Sequence, residues 1–240
     1  MFFIAPAMYI LAIYVLAAVL PAVFLMRYIY RQDQIEPEPP GLLIGLIFSG
    51  VAAALCSIVL EMLAEGVLNL LVDPGSPIYT ILLAFLVVAV VEEGTKLFFL
   101  KRRSWYSPAF NYRFDGVVYA VFVSLGFAAF ENIKYVLSYG LSVAVPRALL
   151  AVPGHMGFAV FMGAFYGRAR LRFNQGDETG GAVNMAAGYL SAVFLHGFYD
   201  TCAMLGTPAA TAVFVVFVVV MYIVVIRLIR RESLEDQPLY

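Results

Sequence analysis

Cysteine is nearly absent: the 240 residues contain two, Cys56 and Cys202, each inside an apolar run and with no C-x-x-C spacing. That usage points to buried thiols and away from a disulfide framework or a thiolate metal site. Charge is also scarce, at 13%, and balanced, with 15 Lys and Arg against 16 Asp and Glu. A chain so near neutrality has no general attraction to nucleic acid or to an acidic partner, so where its charges sit matters more than their sum. Internal repeats and low-complexity tracts are missing, and the polar, Pro-rich stretch 31–40 is short. Nothing therefore separates off as a soluble domain, and one membrane domain over 1–240 is expected.

What is abundant is apolar surface. At 63% apolar composition the chain reads as an integral membrane protein in a lipid bilayer. A bilayer core needs about 20 consecutive apolar residues per helix, and seven such runs can be drawn, at roughly 2–26, 41–62, 77–100, 115–139, 146–167, 184–204 and 208–229. The runs are continuous and do not alternate, which argues for an all-α polytopic bundle of about seven helices and against a barrel. The first run lacks a basic start and a small-residue cleavage site, so a retained helix is expected there.

Orientation follows from the basic residues. Arg27 and Arg31, Lys101 to Arg103 with Arg113, Arg168 with Arg170 and Arg172, and Arg227 with Arg230 and Arg231 occupy every second connection. The alternate connections are nearly free of Lys and Arg. The positive-inside rule then puts the N-terminus out and the C-terminus in the cytoplasm, as seven spans require. Trp105, Tyr106 and Tyr112, beside a basic loop, read as interfacial anchors. Glu61 and Glu65, near the outer end of the second run, read as solvated or headgroup-facing.

Against that background, Glu92, Glu93, Lys96, Glu131, His155, His196 and Asp200 fall inside the runs. A charged side chain at a helix centre costs about 2.5 kcal/mol or more on insertion scales. Glu92 and Lys96 are four apart, as are His196 and Asp200, so each pair could be a satisfied structural couple. The set as a whole is harder to explain that way, because carboxylates and imidazoles outnumber the available cations and both histidines of the chain belong to it. Such a composition suits catalysis or metal binding. Phe127 lies one turn before Glu131 and can shield its carboxyl from lipid, while Asp200 can orient His196. Gly94, Gly126, Gly154, Gly157 and Gly197 recur beside these residues and would let backbones approach closely.

The stretches "EEGTK" at 92–96, "FAAFEN" at 127–132 and "HGFYD" at 196–200 resemble the EExxK, FxxxE and HxxxD motifs of the PrsW family of intramembrane proteases. The similarity spans about residues 88–205. The related CAAX-processing and bacteriocin-immunity proteases carry EExxxR, FxxxH and HxxxN, from which this chain departs with Lys96, Glu131 and Asp200, so the PrsW pattern fits better. The resemblance implies an endopeptidase of the prokaryotic cytoplasmic membrane, acting on membrane-anchored protein or peptide substrates such as anti-sigma factors. It implies no serine or cysteine nucleophile. Its motifs mark Glu92, Glu93, Glu131 and His196 as catalytic, with Lys96, Phe127, Asn132 and Asp200 in support.

The residues themselves lead to a compatible mechanism, in which Glu92 deprotonates a water that attacks the scissile carbonyl. Glu93 points about 100° away on a helix, so one of the two is expected to meet that water and the other to pair with Lys96. Two histidines plus carboxylates match a catalytic zinc, Zn2+, and the expected ligands are Glu131, His155 and His196, with Asp200 behind them. A metal-free glutamate mechanism with the histidines as oxyanion donors is the alternative. Rise per residue places Glu131, His155 and His196 about 12–15 Å below the outer helix ends and Glu92 about 22 Å down. Span three must therefore tilt, project or start later for Glu92 to join them. The rival function is proton- or ion-coupled transport, which intramembrane Glu, His and Asp also serve, although no inverted repeat is visible.

Overall fold

A computed structural model describes residues 4–240, so the first residues of the expected run 2–26 lie outside the described part. Seven long helices account for nearly all of it: α1 (Ile4–Tyr30), α2 (Pro40–Leu71), α3 (77–104), α4 (Asp115–Tyr139), α5 (Leu141–Asn174), α6 (Glu178–Met204) and α7 (Pro208–Leu234). Their boundaries follow local chemistry. Ser76, Asp177 and Thr207 cap α3, α6 and α7 by accepting from the backbone N–H of Tyr79, Gly180 and Ala210, and Pro77 and Pro208 open their helices. Gly140, at φ 84°, ends α4 in a conformation that side-chain-bearing residues avoid.

Five helices, α1, α2, α4, α5 and α7, are long and apolar enough to cross a membrane. The other two, α3 and α6, carry Glu92, Glu93 and Lys96 and His196 and Asp200, the polar residues that dilute their hydropathy. Burial separates centre from periphery. In their most apolar windows 78% of α4 and 61% of α5 is buried, against 11% of α1 and 22% of α7. The outer helices turn Phe24, Phe48 and Val216 outward, as a lipid-facing surface requires. Cys56, expected to be buried, is also on that surface, whereas Cys202 is interior.

The central helix α4 packs against α1, α2, α3 and α5, and α5 packs against α6 and α7. Small residues set these distances. A Cβ on Gly126 would collide with the backbone of Ile47 in α2, and one on Gly163 in α5 would come within 2.6 Å of the Gly116 carbonyl oxygen in α4. Gly126→Ala is expected to cost about 1–3 kcal/mol by overpacking, read as a lower midpoint of unfolding in detergent, with Gly41→Ala, which meets nothing within 4 Å, as the control.

Two local departures from α geometry matter for the site. Residues Leu83–Ala89 of α3 and Arg147–Ala151 of α5 form π-helical stretches just ahead of Glu92 and of His155. Such wider turns recur at functional sites because they re-aim the side chains that follow. At 32 residues α2 is about 48 Å long, well beyond a hydrocarbon core of about 30 Å. The α2–α3 hairpin therefore extends past the core or tilts. Whatever its count from Pro77, Glu92 lies beside the histidines, with Oε2 4.0 Å from His196 Nε2.

The aromatic residues near the basic connection divide. Tyr106 is exposed, but Trp105 is buried at 6% exposure and packs edge-on against Phe110, Tyr166 and Phe173. It is a core residue, not an anchor, because the connection 105–114 folds back under the bundle.

Candidate active site

Glu92, Glu93 and Lys96 converge on the inside of α3, all under 6% exposed. The Lys96 ammonium donates to Glu92 Oε2 at 3.0 Å and to Glu93 Oε1 at 2.8 Å, and lies 3.2 Å from His155 Nδ1. Its underside rests on the Phe127 ring, 4.1 Å from the centroid, a buried cation–π contact. Phe127 thus serves the lysine more directly than it shields Glu131.

Ammonium hydrogens are donors only, so His155 Nδ1 must accept, and the ring proton sits on Nε2. That nitrogen faces Glu131 Oε2 at 3.0 Å. Glu131 is in turn held by Arg147 at 2.9 Å, whose Nε donates to Asn132 Oδ1 at 2.7 Å, and Asn132 Nδ2 donates to the Ala18 carbonyl at 2.7 Å. A chain of four polar groups from α1, α4 and α5 therefore fixes the tautomer and tilt of one imidazole. Arg147, which from its position in the sequence need only reach the interface, is part of this chain.

The second imidazole is held in the same fashion from the other side. His196 Nδ1 donates to Glu93 Oε1 at 2.8 Å, while Nε2 lies 3.3 Å from Asp200 Oδ2 and 4.0 Å from Glu92 Oε2. Phe158 stacks on its face at a centroid distance of 4.8 Å, and the two histidine rings are 5.4 Å apart.

Four residues, Glu92, Glu93, His155 and His196, each offer one ligand atom within 4.8 Å of the others. Of the expected ligand triad, His155 and His196 belong to this group. Glu131 does not, because it sits against the Nε2 edge of His155 while Nδ1 faces the group. The set fits a metal on two grounds. Two imidazoles with two carboxylates are a donor combination of catalytic zinc, and Glu93 Oε2 is buried without a hydrogen-bond partner. The Lys96 ammonium, bonded to three of the four, is the positive charge at their centre.

A cavity of about 490 Å³ reaches this group, a size suited to a peptide segment or small ligand. Glu92, Glu131, His155, His196 and Asp200 line it, but Glu93 and Lys96 do not. The adjacent glutamates are therefore inequivalent: one borders open space and the other is sealed behind it. Glu61 of α2 also lines the cavity, with Oε1 buried and unpaired, so it is not the solvated residue its position suggested. Only the turn of α2 toward the cluster reveals this. Glu65 one turn later is exposed and accepts from the Tyr79 hydroxyl at 3.3 Å.

The profile of a family described as PrsW family intramembrane metalloprotease matches residues 38–228. A protein named Protease PrsW from Geobacillus kaustophilus is 34% identical over 186 residues, 77% of this chain and 76% of that one. Its namesake from Bacillus subtilis is 32% identical over 184 residues, 77% and 79% of the two chains. The Oceanobacillus iheyensis protein of that name is 29% identical over 217 residues, 90% and 94%. No solved structure matches. These similarities do not favour the transport alternative.

Proposed function

The chain belongs to the PrsW family of intramembrane metalloproteases, and from that premise we propose that it cuts membrane-anchored proteins with Glu92 as general base. The chain is thus an integral membrane protease with a protein substrate. The observation that carries the assignment of the base is the inequivalence of the glutamate pair: Glu92 borders the cavity and Glu93 does not.

In this reading Glu92 takes a proton from a cavity water as the water oxygen adds to the scissile carbonyl, and passes it to the leaving amine when the C–N bond breaks. Without a metal, the carbonyl oxygen, negative in the intermediate, would be met by the Nε2 edge of His196, since both ring nitrogens of His155 are already taken by Lys96 and Glu131. Glu93 holds His196, Glu131 and Arg147 hold His155, and Lys96 keeps both glutamates in place. His155, His196 and Glu93 would hold a zinc ion, which when bound polarises a carbonyl and acidifies a water. Asp200 supports His196 from behind, and Asn132 supports Arg147.

The cavity is lined by the middle of α2 and α3, the last turns of α4 and α6 and the first turns of α5 and α7, away from the Arg-rich connections. With the N-terminus outside and the C-terminus in the cytoplasm of a prokaryotic cytoplasmic membrane, the cut falls near the extracytoplasmic end of a substrate's anchor. Anti-sigma-factor-like proteins are substrates of that kind. Mass-spectrometric mapping of cuts in a reporter with a single transmembrane anchor tests this, and cuts confined to the cytoplasmic side would overturn it. Elemental analysis of purified protein is expected to find one zinc per chain, lost in His155→Ala and His196→Ala. Full activity in protein free of metal would refute the zinc assignment.

A further inference from the structure

At the opposite end of the bundle from the cavity, two separate segments bring three acids together. Asp33 lies in the α1–α2 connection, Glu38 just ahead of α2, and Asp115 at the first residue of α4, with one carboxylate oxygen of each within 4.8 Å of the others. Glu38 and Asp115 are each only 1% exposed.

Part of this group is satisfied. Asp115 Oδ2 accepts from the backbone N–H of Asn111 at 3.0 Å and of Tyr112 at 2.7 Å, and Glu38 Oε2 accepts from the Tyr119 hydroxyl at 2.6 Å. Glu38 Oε1 and Asp33 Oδ2 are buried with no partner. Among the described residues no Lys, Arg or His forms an ion pair with any of the three; Arg113, two residues before Asp115, pairs with Glu232 at 3.4 Å and donates to the Glu235 carbonyl.

Buried carboxylates are paired, protonated or metal-bound. A proton shared between Glu38 and Asp115 can satisfy that pair but leaves Asp33 Oδ2 without a partner, whereas one cation can serve all three. We propose that Asp33, Glu38 and Asp115 bind a hard divalent cation, Mg2+ or Ca2+. The ligands are oxygen only, which suits these ions and contrasts with the imidazole-containing group around Glu92, which suits zinc. The ion ties the α1–α2 connection to the start of α4. It reaches the C-terminal tail through the next contacts, where Asp236 accepts from the Phe114 N–H at 2.8 Å and the Leu239 N–H donates to the Asn111 carbonyl at 2.8 Å.

The test is thermal unfolding of the purified full-length protein in detergent, stripped of metals and titrated with MgCl2 or CaCl2. A ligand that binds only the folded state raises Tm in a concentration-dependent way. A saturable rise is expected in wild type and in Glu92→Gln, an apparent Kd weakened by about tenfold or more in Asp33→Asn, and no response in Glu38→Gln. Asp33→Asn, at a half-buried position, keeps the test valid if Glu38→Gln fails to fold. The proposal is overturned if neither ion shifts Tm, if Asp33→Asn responds as wild type does, or if Glu92→Gln removes the response.

Discussion

Glu92→Gln is expected to slow cleavage of a membrane-anchored reporter by about 10²- to 10⁴-fold, the range a positioned general base contributes. Gln keeps an oxygen that Lys96 can donate to, so the 3.0 Å contact survives in kind and the helix stays buried. The loss should therefore fall in kcat, with helix content by circular dichroism and zinc content unchanged. Glu93→Gln should behave differently. Its carboxylate is sealed from the cavity and holds both Lys96 and His196, so loss of activity there should come with loss of metal and a lower unfolding midpoint. If Glu93→Gln alone abolished turnover with metal retained, the roles of the pair would be reversed.

Lys96→Met is the substitution expected to harm the fold most. The ammonium is 2% exposed and compensates Glu92 and Glu93, which are 5% and 0% exposed. Breaking a buried ion pair from one side costs about 3–5 kcal/mol, because the remaining charge is left without a partner. Here two carboxylates are left. In metal-free protein, equilibrium unfolding in mixed micelles should show a drop of at least that size. Adding Glu93→Gln should recover part of it, since one of the two stranded charges is then gone. Zinc should also recover part of it by supplying the positive charge that the lysine took away. A Lys96→Met variant as stable as wild type without metal would mean that the cluster does not depend on this ammonium.

The sequence was most informative about the residues that are hardest to place in lipid. Glu92, Glu93, Lys96, Glu131, His155, His196 and Asp200 stood out because each is costly in an apolar run, and all seven belong to one connected polar network. Their grouping was readable without geometry, since i,i+4 spacing and the scarcity of His narrow the choices. Which partner each residue takes was not. Glu131 stood among the expected ligands because carboxylates and imidazoles look interchangeable as donors in a string of letters, yet it meets the Nε2 edge of His155, and the group whose donor atoms converge contains Glu92 and Glu93 in its place.

Residues with ordinary surroundings in the sequence were harder to read. Glu61 sits near a helix end, where a solvated carboxylate needs no explanation, and its place in the cavity wall depends on how far α2 runs past the membrane core. Trp105 beside four basic residues has the composition of an interfacial anchor, and only the fold-back of 105–114 buries it. The Asp33, Glu38 and Asp115 group was invisible for the same reason: its members are up to 82 positions apart, 115 less 33, and each sits at a helix boundary where an acid is commonplace.

By itself the sequence determined an all-helical membrane bundle, because continuous apolar runs of this length leave the backbone no other way to satisfy its hydrogen bonds in lipid. It also determined which helices carry the buried polar network, since polar groups there are too costly to be left unpaired. Only the tertiary structure decided that Glu92 faces open space while Glu93 does not, and that Lys96 stands between them. Those facts depend on helix rotation and depth, set by π-helical turns and by glycine-mediated contacts such as Gly126 on Ile47. Such contacts are between residues distant in the chain, and their geometry is fixed by packing, which a linear pattern does not encode.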